Sequence, residues 1–135
     1  MNPFEWNVNY SVDIESIDND HKALFGIINQ LFSAMTEGKA MELVKETVQQ
    51  LENYSKTHFQ REEIFFKTTN YPGFAEHKLQ HDLFIEKVKG FKKEISEKNT
   101  HLSIEILGFL RDWLINHIKI SDKQYKDHLK KYGIR

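Results

Sequence analysis

Hydrophobic positions along this chain recur every three to four residues in four long runs, separated by polar or glycine-bearing links. The first run carries His21, Leu24, Phe25, Ile28, Leu31, Phe32 and Met35 on one stripe ahead of Gly38. Such spacing marks a helix with one buried face, so a helix is predicted over about 19–37, with Asp18 placed to cap it. The second run lines up Val44, Val48, Leu51, Ser55, His58, Glu62 and Phe65. It predicts a helix over about 40–67, closed by Tyr71-Pro72-Gly73. Phe74, His77, His81, Phe84, Val88, Phe91 and Ile95 predict a third over about 74–96, before a polar link from Ser96 to Thr100. Leu107, Leu110, Leu114 and His117, with Ile104 and Trp113 beside them, predict a fourth over about 102–120. The Lys- and Tyr-rich tail predicts a short helix over about 122–131.

Residues 1–18 alternate Trp6, Val8, Tyr10, Val12, Ile14 and Ile17 with polar residues, but no later segment offers a partner strand. They are read as an extended arm packed on the helices. Four helices joined by short links favour an all-α, up-down-up-down antiparallel four-helix bundle, with one domain spanning 1–135.

Composition narrows the functional classes. A length of 135 residues suits one domain with a real core, and 39% hydrophobic with 29% charged residues is the balance of a globular protein. The formal net charge of -1 leaves no basic surface for nucleic acid, because acids dilute Lys92-Lys93 and Lys130-Lys131. The first residues lack a basic segment followed by an apolar run, and no stretch reaches the length of a membrane span, so a cytoplasmic protein without a membrane partner is expected. A monomer is expected rather than an oligomer. With no cysteine, any metal site must use nitrogen and oxygen donors.

Five of the seven histidines sit on the inward stripes, where Leu or Phe would be the easier choice. A buried imidazole without a partner costs on the order of a few kcal/mol, so several together would consume much of a small domain's stability. Their spacing supplies partners. His77 and His81 are an i,i+4 pair and leave one helix on the same face; His58 and Glu62 repeat that spacing with a carboxylate as second donor. His117 and Asp122 are five apart, which on an α-helix swings them more than a third of a turn from one another, toward different points of a site wider than one ion. His21 adds a donor from the first helix.

Five imidazoles and two carboxylates are too many for one tetrahedral zinc and too nitrogen-rich for magnesium or calcium. They suit iron among the transition metals, and the count fits two octahedral ions. If Glu62, Asp122 and a water-derived oxygen bridge both ions, His77, His81 and His117 complete one, while His21 and His58 leave the other one position short. Blander readings stand beside this one. Glu62 could belong to a charged face with Arg61 and Glu63, and Asp122 could cap the terminal helix. Asp18 is read as a cap or as a partner orienting the His21 end of its helix. His101 and His128 are expected as solvated surface residues.

Taken together, these positions resemble the hemerythrin family in its single-domain bacterial form. The resemblance rests on Ile17-Asp18 with His21 and Leu24-Phe25, His58 to Glu62 followed by Glu63, Tyr71-Pro72, His77 to His81, Trp113-Leu114, His117-Ile118, Asp122-Lys123 and Tyr125. It departs at Phe65-Phe66, where many relatives carry Met. The resemblance implies a non-haem di-iron centre of Fe2+/Fe3+ ions, oxo- or hydroxo-bridged, that binds dioxygen end-on at its five-coordinate iron. It implies the same ligand assignment: His77, His81 and His117 on the saturated iron, His21 and His58 on the open one, Glu62 and Asp122 bridging. Phe25, Phe59, Trp113, Leu114 and Ile118 lie within a turn of these histidines and are expected to wall the ligand pocket. The expected function is reversible dioxygen binding for storage, delivery or scavenging, not enzymatic turnover, since no Glu stands three residues before any His as in di-iron oxidases. A di-iron oxidase or peroxidase, or an oxygen sensor acting through a separate partner, are the alternatives; the sequence names no redox partner.

Overall fold

The computed structural model describes residues 4–96 and 101–135. Its helices are α1 (Glu15–Thr36), α2 (Ala40–Thr69), α3 (Phe74–Ser96) and α4 (Leu102–Trp113), the last continuing through a π-helical stretch, Leu114–Ser121. Two short helices follow, α5 (Asp122–Gln124) and α6 (Lys126–Lys131). The four long helices form an up-down-up-down bundle in which α1 packs on α2 and α4, and α3 on the same two. Most of the link expected over Ser96–Thr100, namely 97–100, lies outside the described residues. No helix among the described residues is long and apolar enough to cross a membrane.

Left-handed residues terminate α1 and α2. Gly38 follows α1 at φ 71°, and Lys39 N donates to Ala34 O at 2.7 Å. Asn70 does the same for α2 at φ 53°, where Tyr71 N donates to Phe66 O at 3.0 Å and the two rings meet at 4.9 Å. Both are Schellman closures, which satisfy the last carbonyls and turn the chain back.

The amino-terminal end differs from expectation. Helix α1 starts at Glu15, because Asp13 at φ 60° and extended Ile14 make the turn four residues earlier than Asp18 suggested. Asp18 therefore lies inside the first helical turn, where its negative charge suits the helix dipole. Its carboxylate accepts from Val12 N at 2.9 Å and Ser11 Oγ at 2.6 Å. It fastens the arm; neither bond reaches His21. The arm itself includes a 3-10 turn at Val8–Tyr10, which leaves Val8 80% exposed while Trp6 and Tyr10 pack inward.

Two apolar clusters fill the bundle. The larger contains Leu24, Phe25, Ile28, Leu51, Phe59, Phe84, Ile106, Leu110, Leu114 and Ile118; the smaller joins Val12 and Ile14 of the arm and Ile17 of α1 to Phe66, Tyr125 and Leu129. Phe66 takes the buried position of α2 expected for Phe65, and Ile106 takes the position on α4 expected for Leu107, with Ile104 59% exposed. Both shifts are of one residue. Ile106 and Leu107 stand four and three residues before the buried Leu110, and both spacings share its helical face.

Candidate metal centre

Between the two clusters, His21, His58, Glu62, His77, His81, His117 and Asp122 converge, and all seven are buried. The charged-face reading of Glu62 does not hold, since its carboxylate is fully enclosed. Asp122 makes no side-chain cap; it turns toward the histidines. The i,i+5 relation of His117 and Asp122 also acts differently from expectation. Asp122 N donates to His117 O, a π-type hydrogen bond, so the extra residue in the turn brings the pair together instead of swinging them apart. His117 Nε2 and Asp122 Oδ1 are 2.9 Å apart.

The donors fall into two sets, each with its ligand atoms within 4.8 Å of one another: Glu62, His77, His81 and His117 in one, His21, His58, Glu62 and Asp122 in the other. Glu62 belongs to both, its Oε1 lying 3.1 Å from His58 Nε2 and 3.0 Å from His81 Nε2. Asp122 spans them with its two oxygens. Oδ1 stands 3.0 Å from His77 Nε2, and Oδ2 stands 2.9 Å from His21 Nε2.

These spacings test whether the residues fit metal ions. Glu62 Oε1, both Asp122 oxygens and Nε2 of His77, His81 and His117 have no hydrogen-bond partner among the described residues, although neighbours lie near 3 Å. They are aimed past one another, as donors converging on a common ion are. Adjacent ligands of an octahedral first-row ion with bonds of about 2.1 Å stand about 3.0 Å apart, which is the spacing seen. The donor set fits.

The outer nitrogens are held from behind. His58 Nδ1 pairs with Asp20 Oδ2 at 3.0 Å, His81 Nδ1 with Glu63 Oε2 at 3.1 Å and His117 Nδ1 with Gln80 Oε1 at 2.6 Å. A proton on Nδ1 leaves the Nε2 lone pair facing the centre. Arg61 Nε donates to the same Asp20 oxygen at 2.8 Å. Tyr125, inside the smaller cluster, donates its hydroxyl to Glu62 Oε2. Sequence reasoning missed Asp20, Glu63 and Gln80, and gave Tyr125 no role. Their one signal is that each acid or amide sits beside a ligand or one residue from it.

The carboxylates and imidazoles of the centre shift one another's proton affinity. Burial opposes protonation of His58 and His77, but the neighbouring carboxylates outweigh it and push their pKa values up to about 10 and about 9. Burial likewise disfavours the anions, yet the imidazoles hold Glu62 and Asp122 well below the usual carboxylate range. His117 goes the other way, since burial lowers its pKa more than Asp122 raises it.

The five expected pocket residues, Phe25, Phe59, Trp113, Leu114 and Ile118, are buried in the larger cluster beside this centre. Phe59 stacks on His81 at 3.8 Å and Trp113 on His117 at 3.9 Å. His101 is exposed as expected. His128 is not a free surface residue: it is half-buried, and Nε2 pairs with Thr69 O at 2.9 Å, tying α6 to the end of α2. There the backbone carbonyl of a helix terminus offers an acceptor that local sequence does not reveal.

A four-helix bundle with a buried imidazole and carboxylate cluster defines a cation-binding helical protein. The chain belongs to the Hemerythrin HHE cation-binding domain family, whose profile matches residues 12–129. It is 33% identical over 132 residues to the bacteriohemerythrin of Clostridium acetobutylicum, covering 92% of this chain and 99% of that protein. The myohemerythrin of Theromyzon tessulatum is 32% identical over 94% of each chain. A crystal structure of wild-type hemerythrin superposes with a TM-score of 0.79 at 27% identity, covering 94% of this chain and 98% of that one.

Proposed function

We propose that the seven converging side chains hold two iron ions and that the protein binds dioxygen reversibly at that pair, as a carrier for storage, delivery or scavenging. His77, His81 and His117 would hold one ion, His21 and His58 the other, with Glu62 and Asp122 shared between them. The observation that carries this reading is the pair of overlapping donor sets, in which Glu62 Oε1, both Asp122 oxygens and Nε2 of His77, His81 and His117 stand about 3 Å from their neighbours without hydrogen-bonding. The relatives bear the names bacteriohemerythrin and myohemerythrin, which agrees with it.

When bound, the irons would supply the electrons that a reversible dioxygen complex borrows and returns. The chain's own residues do the rest. Asp20, Glu63 and Gln80 fix three imidazoles so that little reorganisation accompanies ligand entry. Phe25, Phe59, Leu114 and Ile118 form an apolar wall that excludes water and protons, the species that would carry off the bound ligand in reduced form. Imidazole-rich ligation favours the reduced ions and supports high-valent iron poorly, which suits a carrier over an oxidase.

Absorbance of the iron-loaded, reduced protein through repeated air and nitrogen cycles tests the proposal. A charge-transfer band that appears and vanishes repeatedly is expected. Irreversible bleaching, or steady turnover with a reductant, would make the protein an oxidase or peroxidase instead.

A further inference from the structure

Two polar groups in the apolar wall leave one donor unmet. Tyr54 and Trp113 are each 8% exposed; the indole Nε1 lies beside the phenol oxygen, and the Tyr54 O–H itself has no acceptor among the described residues. Tyr54 lies one helical turn before His58, and its ring stacks on that imidazole at 5.0 Å and 20°. Its remaining ring neighbours are Phe59 and Phe84, both at 5.9 Å. Those rings in turn meet Trp113 at 5.8 and 4.6 Å. The phenol therefore belongs to the same wall as the expected ligand pocket, on its His58 side.

Counting donors shows what is missing. An indole N–H only donates, and a phenol donates once and accepts. The indole beside the phenol oxygen still leaves the phenol O–H without an acceptor. A phenol keeps its proton at neutral pH, so the Tyr54 hydroxyl is a donor. Buried donors left unmet are rare in native folds. The surrounding rings of Phe59 and Phe84 offer no lone pair.

We infer that Tyr54 Oη, with Trp113 Nε1 beside it, donates a hydrogen bond to the outer end of a small ligand bound on the His21 and His58 side. This rests on the di-iron reading above. The wall is then selective, favouring diatomic or linear triatomic ligands whose outer atom carries negative charge, such as dioxygen on reduced iron or an azide anion, over weak acceptors such as carbon monoxide.

Tyr54→Phe keeps the stacked ring and removes only the hydroxyl, and two measurements on it test the inference. In the iron-loaded, oxidised protein, azide should bind about tenfold more weakly than in the unsubstituted chain. The shift of the azide stretch on transfer to D2O should also disappear. Trp113→Phe should give a smaller loss. Two irons bound with azide affinity and isotope shift unchanged in Tyr54→Phe would overturn this inference alone, whereas metal analysis showing fewer than two irons per chain would overturn it together with the di-iron reading.

Discussion

Replacing Gln80 by Leu isolates what the outer shell contributes. Gln80 Oε1 accepts the His117 Nδ1 proton at 2.6 Å across the α3–α4 interface, while the His117 ring is stacked on Trp113 and nearly sealed from water. The substitution preserves bulk but leaves a buried N–H without an acceptor, at a cost of about 1–3 kcal/mol. The freed ring can also exchange tautomers, and in half of that balance the proton sits on Nε2, where a metal must bind. Loss of such a partner typically weakens metal binding about 10–100-fold. Competition with a metal-sensitive chelator dye, run with ferrous iron under nitrogen, measures the change directly. Gln80→Glu should restore or exceed the original affinity, because a carboxylate accepts the same proton more strongly. Equal affinities for the Leu variant and the unsubstituted chain would refute the claim that these acceptors prepare the site.

Tyr125→Phe should destabilise the protein by about 1.5–3 kcal/mol in urea unfolding, because it strips the fully buried Glu62 Oε2 of its donor. Metal-free protein should lose thermal stability as pH rises from about 6.5 to 9. His58 and His77 are protonated in the fold up to about 10 and about 9 but titrate near 6.5 when unfolded, so the unfolded chain releases protons first, at up to about 1.4 kcal/mol per pH unit for each. Below about pH 4 stability should fall again, as protons reach Glu62 and Asp122, whose pKa values the fold depresses. Metal uptake should show the opposite trend, tightening with pH and releasing at least the two protons of His58 and His77, measurable by calorimetry in buffers of different ionisation enthalpy. Leu114→Ala should speed autoxidation of the oxygenated protein by opening the wall to water, and an unchanged rate would remove Leu114 from it.

The converging side chains were legible because burial and chemistry conflict at their positions. An imidazole on an apolar stripe needs a partner, and i,i+4 spacing names the nearest one, as with His77 and His81. His117 and Asp122 were legible as donors but not as neighbours, since helical periodicity assumes α geometry and the chain inserts a π turn at that point. The five-residue interval was itself the signal: two inward donors five apart require a widened turn. Asp18 misled because Ile14, with no side-chain cap, starts the helix instead. Asp20, Glu63 and Gln80 serve histidines on other helices, at sequence separations of 38, 18 and 37, and nothing local encodes such pairings.

Anomalous diffraction from crystals of the iron-loaded protein, collected on either side of the iron edge, bears most directly on whether one centre of shared carboxylates holds two ions. The account predicts two iron peaks per chain, one within bonding distance of His77, His81 and His117, the other of His21 and His58, with Asp122 and Glu62 touching both. A single peak, or iron bound at surface carboxylates while the seven side chains keep to themselves, would contradict it.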